Sequence, residues 1–328
     1  MVGTDVVARD LAVPWDLLRL PDGAHLVSLR DEAKVVHVDG SGRVTPVPAT
    51  GDDGRVPGVE PGGEGGLLGL ALDPDDQTAL YAYFTADDDN RVVRMRYADG
   101  RLGAPTVVLS GIPKAVVHNG GRMAFGPDGF LYVATGDATD RGAAQDRDYL
   151  GGKILRITRD GAPAPGNPFP DSRVWSLGHR NVQGLGWDAA GRLFASEFGQ
   201  NTWDELNQVL PGRNYGWPEV EGPGTDDDRD RGFTPPLASW STDEASPSGL
   251  AVGLGAVWLA ALRGERLWRV PLSADGRTGS PESLLRGDFG RLRDVEVEPD
   301  GSLLVLTSNT FRGSPTDDDD RLVRIRLG

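Results

Sequence analysis

The stretch Met123-Ala124-Phe125-Gly126-Pro127-Asp128-Gly129-Phe130-Leu131-Tyr132-Val133-Ala134-Thr135 holds a Pro-Asp-Gly turn between two short apolar runs. Proline fixes φ and glycine accepts the left-handed position, so the flanking runs read as antiparallel neighbours. Turns of the same kind stand at Pro21-Asp22-Gly23, Pro74-Asp75, Ala189-Ala190-Gly191, Gly253-Leu254-Gly255 and Pro299-Asp300-Gly301. Each leads into an apolar run: Ala24 to Leu29, Ala79 to Phe84, Phe130 to Thr135, Arg192 to Ser196, Ala256 to Ala261 and Ser302 to Thr307. Most units then carry a second alternating segment, at Lys34 to Val38, Arg91 to Met95, Lys153 to Ile157, Arg266 to Val270 and Arg321 to Ile325, with Asp204 to Val209 as a degenerate copy. Copies of one strand-rich unit spaced 46 to 64 residues apart predict an all-β chain, a six-bladed β-propeller with four-stranded antiparallel blades. Residues 1–328 are expected to form this single domain, with Val6 to Leu11 pairing with the last blade to close the ring.

Composition narrows the function. With 34 basic against 49 acidic side chains the net charge is −15, which argues against nucleic acid as a partner. At 38% hydrophobic the 328 residues can bury a full core. The longest weakly polar run, Gly249 to Leu262, is too short to cross a bilayer, so no membrane span is expected. The absence of cysteine excludes disulfides, thiolate metal sites and a Cys nucleophile. Met1 to Pro14 has neither a basic segment nor an apolar one of signal-peptide type, as in a mature form. No Gly-x-Ser-x-Gly elbow, phosphate loop or dinucleotide fingerprint is found.

The hairpin geometry predicts one functional face. Residues before the first strand of a unit and after the second lie together, opposite the turns. That face receives Glu64, His118-Asn119, His179-Arg180-Asn181, Ser246 to Ser248 and Arg291 to Asp294 from upstream. From downstream come Arg30-Asp31, Asp137, Phe198-Gly199-Gln200, Arg263 and Asn309. His118 reads either as a structural imidazole or, with Asp137 on the same rim to orient it, as a general base. Arg180 beside Asn181 suits polarising a carbonyl or holding an anionic oxygen. Arg263, Arg291 and Arg293 imply an anionic ligand with several carboxylates or phosphates, surface ion pairs being the alternative. Glu197 to Asn207, continuing to Asn214-Tyr215-Gly216-Trp217-Pro218, is rich in the oxygen ligands that suit Ca²⁺. The Asp runs 87–89, 226–228 and 317–320 read as solvated loops, and Gly222 to Thr234 as a flexible segment.

These residues resemble the soluble quinoprotein sugar dehydrogenases, the glucose/sorbosone dehydrogenase family that uses pyrroloquinoline quinone (PQQ). The matching stretches are Glu64 to Pro74, His118 to Gly129, Gly178 to Leu185, Asp204 to Asn207, Asn214 to Pro218, Ala261 to Gly264 and Arg291 to Val295. Together they run through nearly the whole chain in order. The resemblance implies a PQQ-dependent aldose dehydrogenase in which His118 removes the sugar hydroxyl proton, Asp137 orients it, and Arg180 and Asn181 meet the quinone oxygen. It implies cofactor contacts from Glu64, Phe198, Arg263, Arg291 and Arg293, with Glu64 and Phe198 departing from the family's usual residues. A cofactor Ca²⁺ would take the carbonyls of Gly199 and Gln200, and a second, structural Ca²⁺ would use Asp204, Glu205 and Tyr215. It further implies an exported protein, monomer or homodimer, handing electrons from an aldose to an external acceptor. Two other readings stay open at this point: a Ca²⁺-dependent propeller lactonase, and a cofactor-free ligand-binding propeller.

Overall fold

In the computed structural model, which describes residues 3–328, β-branched and aromatic runs between the turns pair into six antiparallel sheets arranged as a ring. The innermost strands are Pro14–Arg19, Leu67–Leu72, Met123–Phe125, Val182–Trp187, Pro247–Gly253 and Leu292–Val297, for blades one to six. Every predicted turn joins an innermost strand to the second strand of its blade, and a fourth strand completes each sheet. Ala79–Thr85, the second strand of blade two, is buried along its whole length because both of its faces meet neighbouring sheets. In blade six the fourth strand is Gly3–Ala8, which pairs with Leu322–Arg326 and sets Gly3 opposite Arg326. The closing strand thus lies three residues earlier than expected: beyond it Asp10 N–H donates to Asp318 O, and Leu11 exchanges two backbone bonds with Asp320 outside the named strands. Met1 and Val2 lie outside the described residues. No helix among those described is long and apolar enough to cross a membrane.

Two loop expectations are corrected. Asp89 and Asp320 are buried rather than solvated: Asp89 pairs with Arg91, and Asp320 accepts the Asn309 N–H at 2.5 Å. Gly222 to Thr234 is ordered through the short helix Asp226–Asp230, whose Thr225 and Asp228 form a capping box, and through Thr234 N–H to Asn214 O at 2.8 Å.

Bulges shape the axis. At the functional face, pairing between the innermost and second strands skips residues in five blades, leaving Trp15, Leu68, Gln183, Ser248 and Arg293 among those outside the ladder. A bulge re-aims the extra side chain. Here Gln183 Oε1 accepts from Arg293 Nη1 at 2.9 Å and from Ser248 Oγ at 3.1 Å, which builds a polar floor across the ring.

Below that floor, Arg122 Nη1 bridges Asp16 and Asp294, reaching Asp294 at 2.8 Å, while its Nε donates to Gln183 O at 2.9 Å. This bridge divides the axis into a cavity of about 240 Å³ on the functional face and one of about 370 Å³ on the turn face. Asp294, expected on the functional rim, lines the turn-side cavity instead, because the bulge at Arg293 sends the two neighbours in different directions.

Two predictions arise here. Lys153 is fully buried and its Nζ donates to three carbonyls, of Ala143, Ala144 and Gly151, at 2.7 to 3.0 Å, tying down the loop that follows Asp137. Lys153→Met strands all three acceptors and should destabilise the fold by about 3 kcal/mol in urea titration; an unchanged midpoint refutes that role. Glu296 lines the turn-side cavity, and burial, then Asp294 and Glu298, push its carboxyl up to about 8. Its folded-state value exceeds its unfolded one, so its contribution is fully present at acid pH and is lost as pH rises towards 8. Glu296→Gln should therefore raise the thermal midpoint more at pH 8.5 than at pH 5, and equal gains at both would contradict the assignment.

Candidate active site

His118 precedes the innermost strand of blade three and Asp137 follows its second strand, so the hairpin delivers both to the same rim. His118 adopts φ +60°, a left-handed conformation that costs a non-glycine residue about 1 to 2 kcal/mol. Gly136 admits it: a Cβ there would collide with the His118 carbonyl. His118 Nδ1 stands 2.7 Å from Asp137 Oδ1, and His118 Nε2 stands 2.8 Å from Arg180 Nη2. A guanidinium only donates, so Nε2 is the acceptor and the ring proton sits on Nδ1, donated to Asp137. This is the tautomer of a base with its lone pair at the mouth.

Asp137 is fully buried. Burial alone would raise its carboxyl, but donation from His118, the Thr139 N–H and Trp217 holds it below the usual range. Trp217 Nε1 reaches Asp137 Oδ2 at 2.8 Å, and the same indole lies under the Arg180 guanidinium at 5.4 Å. Asn181 accepts the Gly120 N–H on Oδ1 at 3.0 Å, while its buried Nδ2 has no partner. Burial pulls the Arg180 guanidinium below its ordinary value, and its Nε is unpartnered too.

Beside this dyad lies the 240 Å³ cavity, with the guanidinium groups of Arg30, Arg263, Arg291, Arg293 and Arg312, the carboxylate of Glu64, and the rings of Trp15, Phe198 and Phe311 in its walls. Buried donors on Arg30 (Nη2), Arg291 (Nε) and Arg293 (Nε) have no acceptor. Arg293, only 4% exposed, is drawn down to about 9 by burial and by the charges of Arg30 and Arg291. Such a cluster lacks its counter-charge. Arg263 differs from the expectation of a buried cation: its side chain is 60% exposed and pairs with Asp243 at the rim. Glu64 is already neutralised by Arg312 at 2.6 Å and by the His118 N–H at 3.2 Å.

The expected oxygen ligands gather one blade further on. Gly199 N–H donates to Asp204 Oδ1 at 2.9 Å, and Gln200 N–H to Glu221 Oε1 at 2.5 Å, so those carboxylates fold the 199–203 loop. Glu205 accepts the Gly222 N–H at 2.6 Å; burial and the nearby Glu197 charge push its carboxyl up to about 8. The Tyr215 hydroxyl donates to Gln208 O and accepts from the Leu210 N–H, leaving only its carbonyl for a metal. A space of about 10 Å³, lined by Glu197, Glu205, Tyr215 and Glu221 among others, has room for one water or ion. Among the described residues, no three carboxylates or imidazoles already stand in ligating geometry.

The face therefore unites His118, Asp137, Arg180 and Asn181, with Phe198 shared between the two cavities. It adds Trp217, Glu221, Phe311 and Arg312, to which the spacing assigned no role. Arg30 carried a signal, as it directly follows the second strand of blade one, on the rim that the hairpin geometry predicts. Arg312 carried none, lying inside an irregular loop.

Residues 11–313 match the family described as Glucose / Sorbosone dehydrogenase. The chain is 30% identical to an aldose sugar dehydrogenase of Escherichia coli over 94% of its own length and 91% of that protein. It is 31% identical to quinoprotein glucose dehydrogenase B of Acinetobacter calcoaceticus over 66% of its length, spanning about half (52%) of that protein. The structure of the PQQ-bound form of an aldose sugar dehydrogenase from Streptomyces coelicolor superposes with a TM-score of 0.92 at 54% identity, over 99% of this chain and 98% of that one.

Proposed function

The chain belongs to the glucose/sorbosone dehydrogenase family, and on that premise we propose that it is a quinoprotein oxidoreductase oxidising aldoses at the anomeric carbon. The observation that carries this reading is the set of buried guanidinium donors without acceptors around a cavity that opens beside a hydrogen-bonded His-Asp pair. A small, planar tricarboxylate satisfies such donors, and PQQ is one. Arg291 and Arg293 would hold its carboxylates, Phe198 and Trp15 would flank its ring, and Arg180 with Asn181 would face a quinone oxygen. Ca²⁺ would take the carbonyls of Gly199 and Gln200, and the 10 Å³ space beside Glu205 and Tyr215 fits a second ion. Together the two groups supply a hydride acceptor and a Lewis acid.

The chain's own residues do the rest. His118 Nε2 accepts the proton of the anomeric hydroxyl, displacing the Arg180 contact, and Asp137 steadies the imidazolium that forms. Arg180, released, presents its donors to the oxygen that gains charge. The closed floor of Arg293, Gln183 and Ser248 keeps the site from draining through the axis. In the same reading the protein is exported and passes electrons to an external acceptor. A Ca²⁺-dependent lactonase needs several carboxylates at the mouth, where five guanidiniums stand against the single carboxylate of Glu64.

Titrating Ca²⁺-loaded protein with PQQ and then adding a panel of aldoses tests the proposal. Stoichiometric uptake followed by sugar-driven bleaching of the quinone absorption is expected; no uptake, or uptake with no bleaching by any aldose, refutes it.

A further inference from the structure

We propose that Arg312, carried on Phe311 and held back by Glu64, is a direct contact of this chain to a carboxylate of the bound quinone, and that the Glu64–Arg312 pair sets how tightly the cofactor is kept. The inference rests on the functional reading above and extends it to residues outside the His-Asp pair.

Four observations converge. Arg312 lines the cavity from the loop between Leu303–Thr307 and Leu322–Arg326. Its Nη1 crosses to Glu64 Oε1 at 2.6 Å, a bond between groups 248 residues apart in sequence. Its backbone is in the left-handed region, φ +61°, which a non-glycine residue adopts at a cost when surrounding contacts demand it. Finally, the Phe311 ring meets two cations, with the Arg30 guanidinium 3.8 Å and the Arg312 guanidinium 4.9 Å from its centroid. Arg30 is itself 1% exposed and fixed by Asp31 at 2.6 Å, so Phe311 is anchored on a rigid platform.

The charge balance explains why the arm is poised rather than spent. Five guanidiniums face one carboxylate in the cavity walls; Arg263 finds Asp243 at the rim, and Glu64 pairs with only one of the others, Arg312, whose side chain is 53% accessible. An incoming tricarboxylate offers Arg312 a second acceptor while repelling Glu64. The guanidinium turns from one anion to the other about its own side chain, and the Phe311 anchor need not move. Glu64 keeps its bond from the His118 N–H, so the exchange leaves the base in place.

The test is a double-mutant cycle on PQQ affinity, read from quenching of tryptophan fluorescence, with circular dichroism and thermal melts confirming folded protein. Arg312→Ala should weaken binding about tenfold or more, and Glu64→Gln should tighten it several-fold by removing a like charge. The double variant decides: a direct contact makes it clearly weaker than Glu64→Gln alone. If the double variant matches Glu64→Gln, Arg312 serves only to neutralise Glu64 and the inference falls; it falls equally if Arg312→Ala binds like wild type. Wild-type protein that takes up no PQQ overturns the functional reading and the inference together, whereas wild-type uptake with either of the two other results overturns the inference alone.

Discussion

His118→Ala should lower kcat about a thousandfold while PQQ still binds. The imidazole is not in the wall of the 240 Å³ cavity, so its removal leaves the guanidinium cluster intact. What disappears is the acceptor for the hydroxyl proton, and positioned proton transfer is worth about 10² to 10⁴ in rate. Arg180 sharpens the effect, since its Nη2 loses its acceptor and competes with the substrate hydroxyl for whatever base remains. Stopped-flow bleaching of protein-bound quinone by a saturating aldose measures the step directly. A variant within tenfold of wild type would remove His118 from the chemistry and return it to the structural reading.

Arg122→Met should cost about 3 to 5 kcal/mol of folding stability. The side chain is nearly as voluminous but uncharged, so Asp16 and Asp294 are left facing each other in the buried axis with their shared counter-ion gone. Breaking a buried pair from one side is far more harmful than removing all its charges. The triple change Asp16→Asn, Arg122→Met, Asp294→Asn should therefore recover most of the loss. Equilibrium unfolding in guanidinium chloride measures both. An Arg122→Met protein within 1 kcal/mol of wild type would mean that the bridge is ornamental, and that the ring is held by its apolar seams alone.

The ring and the rim that carries His118 and Asp137 were legible because each depends on local spacing. Pro127-Asp128-Gly129 fixes a hairpin whose strand ends must share a face, so His118 and Asp137 could be brought together without knowing any contact between them. The polar floor was hidden for the opposite reason. Gln183, Ser248 and Arg293 point inward because their strands skip a partner, and a bulge in an alternating run leaves no mark in composition. Arg263 misled because a basic residue after a strand reads the same whether it turns inward or finds an exposed partner such as Asp243. Trp217 stands in a quoted motif, yet its bond to Asp137 crosses from a long excursion of blade four to blade three, which no periodicity reports. The family resemblance offered a chemistry for His118, Asp137, Arg263 and Arg293; it gave none for Gln183, Ser248, Trp217, Phe311 or Arg312.

The seam of the last blade sets the order in which the protein can mature. Gly3–Ala8 is synthesised well before its partner Leu322–Arg326, and the Asp5–Arg326 ion pair joins groups 321 residues apart. Until Leu322–Arg326 is in place, the Gly3–Ala8 pairing edge of that blade is unsatisfied and open to another copy. A ring fastened this way stays unlatched until its two distant segments meet, so copies folding close together risk exchanging their closing strands. Refolding at low protein concentration should raise the yield of closed monomeric rings.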